Sequence, residues 1–94
     1  MDDSEITKLF FTIAESTVEE SQEVRKVFSM LVSSTLRYRD LLKEDLGIVL
    51  TVEDVRVVLD WLIEAMHTKR LPKTNNAVRL DLLKIWLDEL KPYL

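Results

Sequence analysis

Apolar residues recur along this 94-residue chain with the spacing of amphipathic helices. At 3.6 residues per turn, positions three and four apart lie on one face of a helix. Four successive stripes of this kind predict helices over residues 4–18, 21–45, 52–69 and 76–91. Gly occurs once and Pro twice, so there is little material for the tight turns of a sheet. The expected fold is all-α: one compact four-helix bundle-like domain spanning residues 1–94.

The third helix has the best-specified start. Thr51 can act as its N-cap, and Asp54 can return the hydrogen bond as the third helical residue. Leu50 can pack against Val55 across this cap as a hydrophobic staple. The other predicted boundaries use a left-handed cap at Gly47, a stop at Lys69, Arg70 and Pro72, a cap at Thr74 or Asn75, and a stop at Pro92.

The boundary between the first two helices is open to two interpretations. No Gly or Pro lies between Glu15 and Glu23, and the segment 17–20 (Thr-Val-Glu-Glu) offers only a possible new start. Ile6 and Val24 are 18 residues apart, or five turns, so the two stripes are in phase. A single helix over 4–45 would be about 60 Å long and would force an extended dimer. Two separate helices are the preferred interpretation.

The apolar faces of the third and fourth helices are wider than one packing partner requires. They cover roughly two-thirds of each circumference, against about one-third for a helix that packs on one side. We expect the third helix to lie centrally, with Val55, Leu59, Leu62 and Met66 buried. The surplus width predicts apolar surface for a partner. The residues expected at that interface lie off the main stripes: Val57, Trp61, Trp86 and Phe11.

Charge is distributed unevenly. The net charge is −4, and residues 1–23 hold seven acids against Lys8 alone. The segment 67–79 contains a basic connector that leads into a helix N-terminus, where an anion can bind. This feature supports an alternative function as a small DNA- or RNA-binding regulator. The residues it would use are Lys69, Arg70, Lys73 and Arg79.

Catalytic and metal-binding patterns are weak or missing. The chain has no Cys, and a single Gly cannot form a phosphate-binding or dinucleotide-binding loop. Glu64 and His67 have the Glu-x-x-His spacing of carboxylate metal sites, but they fall on the polar side of the third helix. We therefore expect no enzyme activity, no catalytic residue, no metal and no cofactor.

The expected function is a non-enzymatic protein–protein interaction or assembly module. It would self-associate, as a homodimer, through the wide apolar faces of the third and fourth helices, or bind another protein. The acidic N-terminus does not resemble a targeting signal, and apolar runs are short, so an intracellular protein that does not act at membranes is expected. No small-molecule substrate is inferred. Scarce amides, absent Cys and abundant ion-forming residues resemble the composition of thermophile proteins.

Overall fold

A computed structural model describes residues 3–17 and 22–93. Within these residues every regular secondary-structure element is a helix. The α-helices are α1 (Asp3–Thr17), α2 (Gln22–Leu41), α3 (Val52–Thr68) and α4 (Ala77–Leu90). One π-helical turn (Leu42–Leu46) extends α2, and a 3-10 turn (Lys91–Tyr93) follows α4. The predicted all-α, four-helix fold is confirmed, with helix bounds close to those that the periodicity predicted.

The helices α1 and α2 are separate and pack on each other. The ring centroids of Phe10 and Phe28 lie 6.0 Å apart in an edge-to-face contact. Eighteen residues of continuous helix would separate them by about 27 Å. The longest dimension of the molecule is 37 Å, also too short for the single helix. The extended-dimer alternative is therefore wrong. Residues 18–21, which include most of the possible new start, lie outside the described residues.

Contacts between helices define their directions. Tyr38 Oη donates to the carbonyl of Val78 (3.1 Å), and Trp86 Nε1 donates to Thr35 Oγ1 (3.1 Å), so α2 and α4 run antiparallel. By contrast, Arg79 Nε donates to Asp54 Oδ1 (2.6 Å), which joins the N-terminal ends of α3 and α4. These two helices, although consecutive in the chain, are parallel.

A parallel pair requires the connector 69–76 to return along the length of α3. Eight extended residues reach about 26 Å, and the seventeen residues of α3 rise about 25 Å. The C-terminal ends of α3 and α4 also lie close together, since Ala65 and Leu87 line the same small cavity as Leu71 of the connector. The chain segment between α3 and α4 is therefore an extended crossover and not a tight turn.

Helices α3 and α4 share the centre of the fold: α3 packs against α1 and α4, as the sequence led us to expect, and α4 has neighbours on more sides. Helix α4 packs against both α2 and α3, and Trp86 reaches α1 through an edge-to-face contact with Phe10 (5.4 Å). Packing on three sides explains why the apolar face of α4 is so wide. The buried apolar residues of the core are Ile6, Phe10, Leu31, Tyr38, Leu42, Leu50, Val55, Val58, Leu59, Leu62, Ala65, Leu82, Leu83, Trp86 and Leu90.

The predicted burial on α3 is confirmed at three positions and wrong at one. Val55, Leu59 and Leu62 are buried, but Met66 is 43 % exposed. Met66 lies in the last turn, beyond the part of α3 that its neighbours cover completely. Its exposure leaves an apolar side chain at this end of the bundle.

The predicted capping box of α3 is confirmed. The Asp54 N–H donates to Thr51 Oγ1 (3.1 Å), and the Thr51 N–H donates to Asp54 Oδ2 (2.9 Å). Helix α4 is capped by Asn76, whose Oδ1 accepts from the Arg79 N–H (3.1 Å). The expected caps at Thr74 or Asn75 are wrong by one or two positions, because Thr74 accepts a hydrogen bond from the Asn76 N–H instead.

Candidate functional site

Exposed aliphatic side chains concentrate at the last residue of α2 and in the segment between α2 and α3. We call this surface the aliphatic end; it consists of Leu41, Leu46, Ile48 and Val49. Leu46 is 66 % exposed and Val49 is 68 % exposed, the two largest values among the exposed large hydrophobic residues of the described chain. Surface of this kind is unusual outside binding sites when it is contiguous.

The backbone of the aliphatic end is fixed on both sides. Gly47 closes the π turn in a left-handed conformation (φ 65°), and its N–H donates to the carbonyl of Lys43 (3.2 Å). The N–H of Ile48 donates to the carbonyl of Leu42 (3.1 Å). The side chains of Leu42 and Leu50 are buried and anchor the segment to the core. The aliphatic side chains are thus presented from a well-defined backbone.

Charges of both signs border the aliphatic end. Lys43, Glu44 and Asp45 all lie on the π turn and are exposed. One cation and two anions thus lie beside the exposed aliphatic side chains.

A second surface lies where the connector passes along α3. We call it the Trp61 groove, a half-open cavity of about 600 Å³. Its α3 side is formed by Trp61, Glu64, Ala65 and Thr68, and its connector side by Arg70, Leu71, Pro72 and Lys73. The groove exists because α3 and α4 are parallel, which brings the connector back along α3.

Two local features shape the start of the connector. Thr68 Oγ1 donates to the carbonyl of Glu64 (3.0 Å) and accepts from the N–H of Arg70 (3.3 Å). Lys69 caps α3 in the left-handed region (φ 61°), and its N–H donates to the carbonyl of Ala65 (2.8 Å). A side chain in this region costs energy that Gly would avoid. The backbone therefore turns sharply at Lys69 before it enters the groove.

The basic residues predicted to bind nucleic acid separate into two groups. Lys69, Arg70 and Lys73 are exposed, and within the described part of the chain they form no ion pair. Arg79 is different, since it pairs with Asp54 and both side chains are mostly buried. Including Arg79 in an anion-binding patch is wrong, because its charge is already neutralised inside the fold.

The Asp54 carboxylate holds the N-terminal ends of α3 and α4 together. Burial alone raises its pKa, but hydrogen bonds from the Thr51 N–H, the Arg79 side chain and the Thr51 hydroxyl, with the Arg79 charge, outweigh burial. The net effect lowers the pKa of Asp54 below its ordinary value. The ionised form is therefore the one that the folded structure stabilises.

The predicted interface residues lie in different environments. Trp86 is 0 % exposed in the core, so its assignment to an interface is wrong. Its indole N–H is satisfied by Thr35, and its ring packs on Phe10. Val57 and Trp61 are half-buried on α3, and Phe11 is 37 % exposed on α1. Trp61 also lines a cavity, the Trp61 groove.

Another cavity, of about 310 Å³, lies between α2 and α4. Glu89 lies in it and accepts from the Ser34 hydroxyl through Oε1, while Arg37 Nη2 lies 3.5 Å from the same oxygen. Oε2 of Glu89 is buried without a hydrogen-bond partner among the described residues. Tyr38 lines the same cavity, where burial and then the Asp81 charge raise the pKa of its hydroxyl. Sequence reasoning gave no signal for Glu89.

The aliphatic end was also missed, although the sequence carried a signal for it. Ile48, Val49 and Leu50 follow Gly47 as three consecutive apolar residues outside any helix. Successive side chains of an extended segment point in different directions, so three in a row cannot all enter one core. Leu50 enters the core, and Val49 remains outside.

The residues with Glu-x-x-His spacing lie on the surface of α3. Glu64 and His67 are both exposed. Among residues 3–17 and 22–93, no three His, Cys, Asp or Glu side chains group as they would around a metal ion. Over the same residues, no helix has the length and apolar character needed to cross a membrane.

Comparison with known proteins adds no relative. No protein-family model, curated protein or solved structure shows significant similarity to this chain.

Proposed function

We propose that this chain is a non-enzymatic helical interaction module that self-associates through its aliphatic end. One observation carries the proposal: Leu46 and Val49 are each about two-thirds exposed on a backbone that hydrogen bonds and buried anchors hold in place. When a partner removes exposed aliphatic side chains from water, the free energy falls by roughly 25 cal/mol per Å² of buried apolar surface. A fixed backbone limits the ordering entropy that binding must overcome.

A second copy of the chain suits this surface. A two-fold contact places the same patch of both subunits face to face. Each copy would then set Lys43 against Glu44 or Asp45 of the other around the aliphatic side chains. Four aliphatic side chains form a small contact compared with the roughly 800 Å² per partner of stable complexes. The dimer should therefore be weak and should depend on protein concentration.

This surface differs from the faces of helices three and four that the hydrophobic pattern favoured. None of the large apolar side chains of α4 is exposed, since α4 lies between its neighbours. On α3 the side that carries Trp61 faces the connector across a groove, so a second helix cannot lie flat against it. The aliphatic end has no such cover.

Light scattering after size exclusion, over a concentration series, tests self-association directly. The variants Leu46→Glu and Val49→Glu place a charge in the contact and should yield monomers at concentrations where the unmodified chain dimerises. Both side chains are mostly exposed, so each substitution should cost under about 0.5 kcal/mol of folding stability. Circular dichroism checks that the helices persist.

The matched control is Ile63→Glu, which charges an exposed aliphatic side chain on α3 itself. It should leave the dimer intact. Dimer loss in Ile63→Glu with a persistent dimer in Leu46→Glu would move the interface to α3 and overturn the assignment. A chain that stays monomeric at high micromolar concentration would remove self-association altogether.

A further inference from the structure

The geometry of the Trp61 groove points to a second binding site, and we infer that it takes an acidic peptide segment of a partner protein with one apolar anchor side chain. The groove lies between α3 and the connector, and Trp61 and Arg70 are both among the residues that line it. This site goes beyond self-association, because it is distinct from the aliphatic end and takes a different kind of partner.

The apolar part of the groove suits a single anchor. Trp61, Ala65, Leu71 and Pro72 contribute apolar surface around a volume of about 600 Å³. That volume lies within the range of pockets that bury small ligands or a few side chains. Trp61 is half-buried and lines the groove, so part of its side chain remains accessible to a ligand. Large aromatic side chains in such positions carry a large share of binding energy at interfaces.

The charged part of the groove specifies an acidic segment. Arg70 and Lys73 line the connector side, and Lys69 lies just before them. All three are exposed, and no acid in the described residues pairs with them. Guanidinium and ammonium groups recognise carboxylates, and an incoming carboxylate would supply the missing partner. Glu64, on the α3 side, is the one acid among the lining residues and would repel a segment bound in the wrong orientation.

The same charges are a poor match for nucleic acid. Arg79 is engaged by Asp54 and adds no free cation next to the groove. Three exposed cations can neutralise a few carboxylates of a short segment, whereas phosphates repeat along the whole length of a nucleic acid.

The two surfaces are far enough apart to be occupied together. The aliphatic end precedes the first residue of α3, and the Trp61 groove lies along its C-terminal half. The seventeen residues of α3 span about 25 Å. A dimer joined at the aliphatic ends would thus present two Trp61 grooves, and a partner with two acidic segments would bind more tightly through both.

Fluorescence anisotropy with a defined probe tests the site on the full chain. The probe is a labelled peptide of Glu and Asp residues around one central Phe. Three comparison probes are the same peptide with Ser in place of Phe, the same peptide with Lys in place of the acids, and oligo-dT. We expect the Phe-containing acidic peptide to bind with a Kd that rises with salt. The other three should bind at least about tenfold more weakly, or about 1.4 kcal/mol.

Variants then locate the binding. Arg70→Glu with Lys73→Glu, and separately Trp61→Ala, should each weaken the acidic peptide about tenfold or more. The matched control is Lys84→Glu with Lys91→Glu, which reverses two exposed cations outside the groove. It should have little effect, and Leu46→Glu should bind as the unmodified chain does. The cation variants are at the surface, so they keep the test valid if Trp61→Ala fails to fold.

Three results would overturn the site. The first is equal binding of the Phe and Ser peptides, which would remove the apolar anchor. The second is equal loss in the groove variant and the Lys84–Lys91 control, which would reduce the effect to net charge. The third is tighter binding of oligo-dT than of the acidic peptide, with the same dependence on Arg70 and Lys73, which would make the connector a nucleic-acid site.

Discussion

The two ends of α3 differ in how completely their hydrogen-bonding groups are paired and their apolar side chains are buried. At the start, Thr51 and Asp54 exchange hydrogen bonds, and Asp54 also binds Arg79 of α4. At the other end, Lys69 takes a left-handed conformation that is unfavourable for its side chain, and Met66 is left exposed. The N-terminal end of α3 is therefore held by side-chain hydrogen bonds, whereas its C-terminal end has a strained backbone at Lys69 and an exposed side chain at Met66.

The difference shows how a single helix can serve both stability and binding. The Asp54–Arg79 pair fixes the N-terminal ends of α3 and α4 side by side, and this arrangement requires the connector to cross over along α3. The crossover leaves a groove beside Trp61 because an extended segment covers less surface than a packed helix. The Asp54–Arg79 pair at the N-terminal end of α3 therefore gives rise to the Trp61 groove along the C-terminal half of the same helix.

The largest expected loss of folding stability is in the middle of α3, and it serves as a reference for the smaller effects at the two ends. Leu59→Ala and Leu62→Ala remove buried side chains and should each lower the free energy of unfolding by about 2–5 kcal/mol. Urea denaturation measures the loss. Glu64→Ala, on the exposed side, should cost under about 0.5 kcal/mol. Equal losses at Glu64 and Leu62 would show that the exposed side of α3 is in fact covered.

A smaller effect is expected at the N-terminal end. Asp54→Ala removes the returned hydrogen bond of the capping box and leaves the mostly buried Arg79 without its partner. The loss should be about 2 kcal/mol at neutral pH. Glu53→Ala is the matched control, since this neighbouring acid pairs with Arg56 at the surface and should contribute under about 0.5 kcal/mol. Similar losses for both variants would show that the Asp54–Arg79 pair adds no more than an exposed ion pair.

The same carboxylate predicts a pH dependence. The folded state lowers the pKa of Asp54, so it stabilises the ionised form. This stability is fully present well above the unfolded-state pKa of about 3.9, and it is lost as the pH falls through the lower folded-state value. The difference in unfolding free energy between the unmodified chain and Asp54→Ala should therefore shrink below about pH 4. A constant difference down to pH 2 would assign the effect to packing and not to charge.

The sequence predicted the N-terminal end of α3 better than the C-terminal end for a physical reason. The capping box and the staple involve residues within a few positions of each other, so local spacing suffices. The path of the connector depends on the pairing of Asp54 with Arg79, 25 residues apart in the chain. Nothing in local periodicity encodes such a pair. The stop at Lys69 could be predicted, but not the direction in which the chain continued.

The interpretation of wide apolar faces failed at α4 for the same reason. Width shows how many neighbours a helix needs, but not whether those neighbours belong to the same chain. Trp86 meets Thr35 of α2 and Phe10 of α1, contacts that are remote in sequence. The apolar surface that does remain exposed lies mainly outside the stripes, at Leu46, Ile48 and Val49. Side chains of a connecting segment contribute to no helical pattern, so a search for stripes passes over them.

The smallest expected effects on stability are at the two residues with a left-handed backbone conformation, one before α3 and one after it. Gly47 and Lys69 have nearly the same φ, 65° and 61°, but only one of them is Gly. A Cβ at Gly47 would meet no atom within 4 Å, so Gly47→Ala should cost about 1 kcal/mol from backbone strain alone. Lys69→Gly should relieve the same strain and raise the free energy of unfolding by about 0.5–1 kcal/mol.

Lys69→Ala is the matched control, because it removes the long side chain but keeps the Cβ that causes the strain. Its stability should stay close to that of the unmodified chain. A gain as large in Lys69→Ala as in Lys69→Gly would point to the charge at this position and not to its backbone. Lys69→Gly and Lys69→Ala both lack the Lys69 charge, so the two variants should bind the acidic peptide equally well if the backbone at this position plays no part in binding. Weaker binding by Lys69→Gly than by Lys69→Ala would show that binding depends on the strained backbone at this position.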